Sequence, residues 1–173
     1  MGSGGMVVMD EDSCMVDVAR YFLTFTENES CGKCVPCRMG TQHLLRILTE
    51  ITEGRATIAA IDRLRKIGDT VKRGSLCGLG QTVPNPVLTT LRYFEDEYRA
   101  HIVDHKCPAG VCRELIRFEI EAEACNGCRA CALACPVAAI AGEKKMPHRI
   151  DQVLCIRCGS CRQACKFEAV SVE

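Results

Sequence analysis

Tryptophan is absent from this 173-residue chain, and aromatic side chains make up only 5% of it, which excludes a core built on large rings. An excess of either charge is also lacking, because 22 Lys plus Arg face 22 Asp plus Glu. That balance excludes the broad basic face that nucleic-acid binding uses, while local potentials at a docking surface stay open. No apolar run reaches the roughly 20 residues of a membrane span. Nor does Met1–Asp10 carry the charged start, apolar stretch and cleavage site of a secretory leader.

Cysteine is what the chain has in abundance, at 15 residues. In a short secreted protein that would announce a disulfide framework. Here the count is odd and most cysteines stand two residues apart, which is the spacing of metal ligands rather than of cystines. The expected compartment is therefore reducing and cytoplasmic. Inorganic clusters that cross-link distant segments would stand in for part of the missing core.

The expected fold class is α+β in two regions. Residues 1–12 read as the end of an upstream domain, with Met6, Val7, Val8 and Met9 as a short strand. The Gly2–Gly5 run precedes no βαβ unit, so it is no dinucleotide fingerprint. Residues 13–104 read as a small helical bundle holding one iron–sulfur cluster. Its first helix is capped by Ser13 and runs to about Thr26, with Val16, Ala19, Phe22 or Leu23, and Phe25 or Thr26 at helical spacing. Further helices are predicted over Arg38–Glu53, ended by Gly54, and over Ala56–Lys72, ended by Gly74. Asn85 with Pro86 opens a fourth, carrying Leu88, Leu91, Phe94 or Glu95, Tyr98 and Ile102 along one side. Residues 105–114 form a connector, and residues 115–173 a second domain defined by an internal repeat.

The repeat has a period of thirty residues. Its first half reads Cys125-x-x-Cys128-x-x-Cys131-x-x-x-Cys135-Pro136 and its second Cys155-x-x-Cys158-x-x-Cys161-x-x-x-Cys165-Lys166. Three thiolates two residues apart wrap one 4Fe–4S cube, and in this motif the fourth cysteine of each run ligates the other cube. One cluster is thus assigned to Cys125, Cys128, Cys131 and Cys165, and another to Cys135, Cys155, Cys158 and Cys161. Paired zinc sites would not require that exchange. These residues resemble bacterial-type two-cluster ferredoxins over about the last sixty residues. Lys166 departs from that pattern, which has Pro, and its charge is expected to raise the neighbouring potential slightly.

A further cysteine run, Cys31-x-x-Cys34-x-x-Cys37, finds its fourth member in Cys77, giving another 4Fe–4S set. Gly32, Gly78 and Gly80 allow close approach and backbone contacts to sulfur. Lys33 and Arg38 either offset cluster charge or are ordinary solvated side chains. The stretches ESCGKCVPCRMGT, SLCGLGQTVPNPVLTTLRYF and GSGGMVVMDEDSCMVD look like the C-terminal part of the NADH-binding flavoprotein subunit of respiratory complex I. With the ferredoxin-type domain added, the chain resembles the beta subunit of electron-bifurcating iron-only hydrogenases. NAD(P)-linked formate dehydrogenase subunits share that architecture.

The resemblance implies an electron-transfer segment of an oxidoreductase complex with no bond-making chemistry of its own. It would pass single electrons between a flavin and ferredoxin or a partner subunit. FMN and NAD(H) are implied only for an upstream part that these residues do not include. A purely structural role for the clusters is the rival reading.

The connector contains His101, His105, Cys107 and Cys112. A mixed nitrogen and sulfur set suits zinc better than a cubane. The preferred zinc ligands are His101, Cys107 and Cys112, with His105 as rival or fourth ligand because it falls one helical turn from His101. The alternative is two free thiols and a histidine-capped helix end. The Gly/Pro-bearing joint is also compatible with hinge motion of the second domain. Cys14 reads as a buried hydrophobe, and His43 and His148 as surface or core residues without a role.

Overall fold

The computed structural model describes residues 6–172, so the Gly2–Gly5 run lies outside the described residues. The chain divides into two compact units, Met1–Leu115 and Ile116–Glu173. Residues 6–10 form no strand. Met6, Val7 and Val8 stand exposed, with no neighbouring strand to pair with.

In the first unit, helix α1 spans Met15–Glu29 and buries Met15, Val16, Ala19 and Leu23, while Phe25 stays exposed. Its N-cap is Cys14 rather than Ser13, whose hydroxyl instead donates to Asp10 Oδ1 at 3.0 Å. Helix α2, Val35–Thr52, begins earlier than predicted because Pro36 is pre-set for its first turn. Gly54 follows its end with φ at +69°. Helix α3 covers Ala59–Gly74. A Cβ on Gly40 would lie 2.1 Å from Val71 Cγ2, so α2 and α3 approach to a separation that only glycine permits there.

A short helix that periodicity did not reveal, α4 (Gly78–Thr82), precedes α5 (Asn85–Tyr93), which is capped by Pro84. The predicted fourth helix is not continuous. Phe94 leaves helical geometry (φ −134°, ψ 37°), the chain re-enters helix as α6 (Glu95–Arg99), and it then widens into a π turn over Ala100–Asp104. Of the expected apolar side Leu91, Tyr98 and Ile102 are buried, while Leu88 is half-buried and Val87 takes its place in the core. Tyr98 also bonds Thr90 Oγ1 across the break at 2.8 Å.

The second unit shows the repeat directly. Strand β1 (Phe118–Ile120) pairs antiparallel with β4 (Val170–Val172), and β2 (Ile140–Ala141) pairs antiparallel with β3 (Arg149–Ile150). Each pair therefore takes one strand from each half. Helices α7 (Ala130–Ala134) and α8 (Ser160–Ala164) pack together and follow the same thirty-residue relation. Equivalent backbone bonds recur as well: Cys125 N–H donates to Glu121 O and Cys155 N–H to Asp151 O, both at 3.0 Å. Among the described residues, no helix is long and apolar enough to cross a membrane.

Candidate metal centres

The second unit contains two partly open cavities. Cys125, Cys128, Cys131 and Cys165 line one, together with Ile120 and His148. Cys135, Cys155, Cys158 and Cys161 line the other, together with Phe118 and Ile140. Each cavity thus carries three cysteines from one half of the repeat and the fourth from the other half. Cys131 and Cys161 are buried in the first turns of α7 and α8, and burial pushes both thiols up from their ordinary pKa. A bound cation is what would hold such thiols as thiolates. Sulfur-lined, otherwise mostly apolar cavities fit 4Fe–4S groups. Among the described residues, three or more His, Cys, Asp or Glu side chains within single-ion distance of one another occur in the group described below.

Cys31, Cys34, Cys37 and Cys77 are brought toward one end of the α2–α3 pair. Cys34 caps α2, Cys37 is buried in its first turn, and Cys77 caps α4. A Cβ on Gly74 would lie 2.8 Å from Pro36 Cγ, which sets the end of α3 against the start of α2. A Cβ on Gly80 would lie 2.5 Å from Ser75 Cβ and 3.3 Å from Cys37 Cβ. The segment after Cys77 is therefore seated on Cys37. Gly78, by contrast, has no atom of the chain within 4 Å of a Cβ position. Arg38 Nη1 donates to Gly32 O at 2.6 Å, which bends the cysteine loop back on the helix, while Lys33 is exposed. The Gly80→Ala chain is expected to lose about 1–3 kcal/mol through overpacking at this contact. It should also bind less iron at the Cys31 set while the second unit loads normally; iron counts and thermal melts beside Gly78→Ala check this.

The fourth group is closer-knit. Cys14, His101, Cys107 and Cys112 are all buried, and their ligand atoms lie within 4.8 Å of one another. Cys14 Sγ is 3.3 Å from His101 Nε2 and 3.7 Å from Cys112 Sγ, and His101 Nε2 is 3.3 Å from Cys112 Sγ. A tetrahedral zinc ion would hold such atoms about 3.5–3.8 Å apart, given its bond lengths to sulfur and nitrogen. His101 Nδ1–H donates to Glu97 O at 2.7 Å, fixing the ring with Nε2 inward as metal-bound histidines require. Val111 and Cys112 donate their backbone N–H groups to Cys107 Sγ at 3.4 and 3.5 Å, as suits a thiolate.

Without an ion, these groups hold one another in unlike charge states. Burial works against a charge on His101, but its bonds to Cys107 and Cys14 outweigh this and raise its pKa to about 10. Bonds from Cys112 and Cys14 lower Cys107, and its bonds to Cys107 and Cys14 together with burial raise Cys112. One divalent ion would let all three sulfurs be thiolates at once.

Three of these residues were expected and the fourth was not. His105 does not join them. The π turn breaks the one-turn relation to His101, and His105 itself adopts a left-handed conformation at φ 50° and is exposed. Cys14 takes the place, supplied by the start of α1 from 87 residues before His101. The available signal was arithmetic: twelve cysteines in cluster motifs and two in the connector leave Cys14 over from 15. His148 is a buried residue, as the core alternative expected, and it lines the Cys125 cavity. His43 is exposed.

Comparison with known proteins agrees with this division. Residues 17–101 match the NADH-ubiquinone oxidoreductase-F iron–sulfur binding region, and residues 117–166 match a 4Fe-4S dicluster domain. Over 170 residues the chain is 54% identical to the NADP-reducing hydrogenase subunit HndC of Solidesulfovibrio fructosivorans, covering 98% of this chain and 35% of that protein. It is 36% identical over 108 residues to the F-type NADH-quinone oxidoreductase subunit of Streptomyces coelicolor, covering 62% of this chain and 24% of that one. The chain therefore spans about a third or less of the length of these relatives. A solved NAD+-reducing [NiFe]-hydrogenase in its H2-reduced state superposes with a TM-score of 0.53 at 33% identity, covering 55% of this chain and 16% of that one. The chain thus resembles an F-type iron–sulfur binding region followed by a 4Fe-4S dicluster domain, and it is similar to F-type subunits of NADH-quinone oxidoreductase and to the hydrogenase subunit HndC.

Proposed function

We propose that this chain is the electron-relay segment of an NAD(P)H- and flavin-linked oxidoreductase complex of hydrogenase type, working by electron bifurcation. The observation that carries the reading is the pair of cavities in the second unit, each lined by a crossed set of four cysteines. Three 4Fe–4S groups, when bound, supply one-electron uptake and release. The residues holding them are Cys31, Cys34, Cys37 and Cys77; Cys125, Cys128, Cys131 and Cys165; and Cys135, Cys155, Cys158 and Cys161. Phe118, Ile140 and Ile150 keep water from one of these sites, which weakens dielectric screening there. Cys128 and Cys158 are exposed and mark the edges from which a partner can be approached.

Cys14, His101, Cys107 and Cys112 hold zinc as a closed structural site, with no position left for a substrate. Flavin and nicotinamide belong to the portion of the relatives that this chain does not span. The remaining partners are other subunits of the complex and ferredoxin, in the cytoplasm.

Anaerobic potentiometric titration followed by electron paramagnetic resonance tests the relay. Reversible one-electron couples from about twelve irons per chain are expected for three such clusters. Iron that never cycles between two oxidation states would overturn the relay.

A further inference from the structure

Thr41 and Ser75 each bury a hydroxyl that finds no hydrogen-bond partner in the protein. The two are not alike. Thr41 lies inside α2, where a threonine can turn its hydroxyl back to the carbonyl four residues earlier. Ser75 follows the end of α3 in extended backbone, at φ −89° and ψ 139°, outside that helical geometry.

Ser75 is only 4% exposed, and its backbone is held on both sides. Its N–H donates to Val71 O at 3.1 Å, and its carbonyl accepts from Gln81 Nε2 at 3.2 Å. Held in this way, the side chain stands against Gly80. A Cβ there would lie 2.7 Å from Ser75 Oγ and 3.3 Å from Cys37 Cβ, so the hydroxyl and Cys37 approach each other across the glycine. Ser30 is also at Cys37, with its Oγ 3.5 Å from Cys37 Sγ, but it already accepts from Gly32 N–H at 3.3 Å. Ser75 is thus the hydroxyl at this end of the α2–α3 pair that still needs an acceptor. A buried hydroxyl without one is costly, and the groups gathered here are sulfurs.

We propose that Ser75 donates its hydroxyl hydrogen to a sulfur of the iron–sulfur group held by Cys31, Cys34, Cys37 and Cys77, and so raises the potential of that group. Negative charge on the sulfurs grows when one electron enters, and hydrogen bonds to charged acceptors are the stronger ones. The bond therefore favours the reduced form. The serine keeps its proton throughout, and a hydroxyl carries that proton without any change of charge state. Gly80 serves the same contact, since any side chain at that position would stand between the hydroxyl and Cys37.

The inference rests on the ligand set proposed above. A Cys34→Ala chain that kept its full complement of iron would sink that set, whereas the Ser75 variants test the donor alone in loaded protein. The experiment uses the full chain loaded anaerobically, with midpoints followed by electron paramagnetic resonance. Ser75→Ala is expected to lower one midpoint only. At the parent's midpoint its reduced-to-oxidised ratio should fall about three- to tenfold, equivalent to about 28–59 mV for a one-electron couple. The same cluster should lose one exchangeable-proton coupling, read by electron–nuclear double resonance after transfer to heavy water. Ser75→Thr keeps the hydroxyl on a branched side chain that extended backbone accepts, and it should retain both the midpoint and the coupling. Unchanged midpoints in loaded Ser75→Ala overturn the proposal. If Ser75→Ala does not load the Cys31 set, Ser75→Thr and Ser75→Val decide, because they match in shape and differ in the donor. Loading or a higher midpoint in the threonine chain alone supports the donor, and equal behaviour of the two overturns it.

Discussion

Cys14→Ser is expected to purify without zinc and to melt roughly 12–40 °C below the parent in its first unit. Removing one ligand leaves two thiols and an imidazole that are all buried, and stranding a buried charged partner costs about 3–5 kcal/mol. Each kcal/mol moves the midpoint of a domain of this size by about 4–8 °C. His105→Ala, at the exposed position expected from sequence to compete for the metal, should keep its zinc and its melting point. Elemental analysis beside calorimetry separates the two. Chelation should mimic Cys14→Ser in the parent and change little in the variant. Acidification should release the ion as well, because protons compete for each thiolate.

The crossed ligands give the second large effect. Cys165→Ala lies in the second half of the repeat, yet it should disturb the cluster of the first half, while Cys135→Ala should do the converse. Each chain is expected to lose up to four irons and one reversible couple, with the Cys31 set untouched. Iron counts with electron paramagnetic resonance check the number lost, and the proton signals of the surviving cysteines show which set remains. Loss confined to the half that carries the mutation would mean that the ligands are not exchanged. Cys135→Ala should also loosen the β2–β3 pair, because Ala139 N–H donates to Cys135 Sγ just before β2.

How much of this was readable beforehand follows from the range of each interaction. The cysteine runs are local, and the thirty-residue repeat makes each half a guide to the other, so the cluster sets and the α+β division could be stated from spacing alone. The stripes of α1, α2 and α3 were also legible, since Val16, Leu23, Leu44, Leu48, Ile61 and Leu64 are buried as helical periodicity requires. Interruptions were not. Nothing between Leu91 and Ile102 breaks the period, so the bend at Phe94 and the π turn stayed hidden, and with them the exposed position of His105. Cys14 was missed because its partners come from the far end of the first unit.

Because β1 pairs with β4 and β2 with β3, neither half of the duplicated sequence has a sheet to itself. A chain cut between the repeats is therefore expected to leave two fragments with open strand edges rather than two miniature carriers.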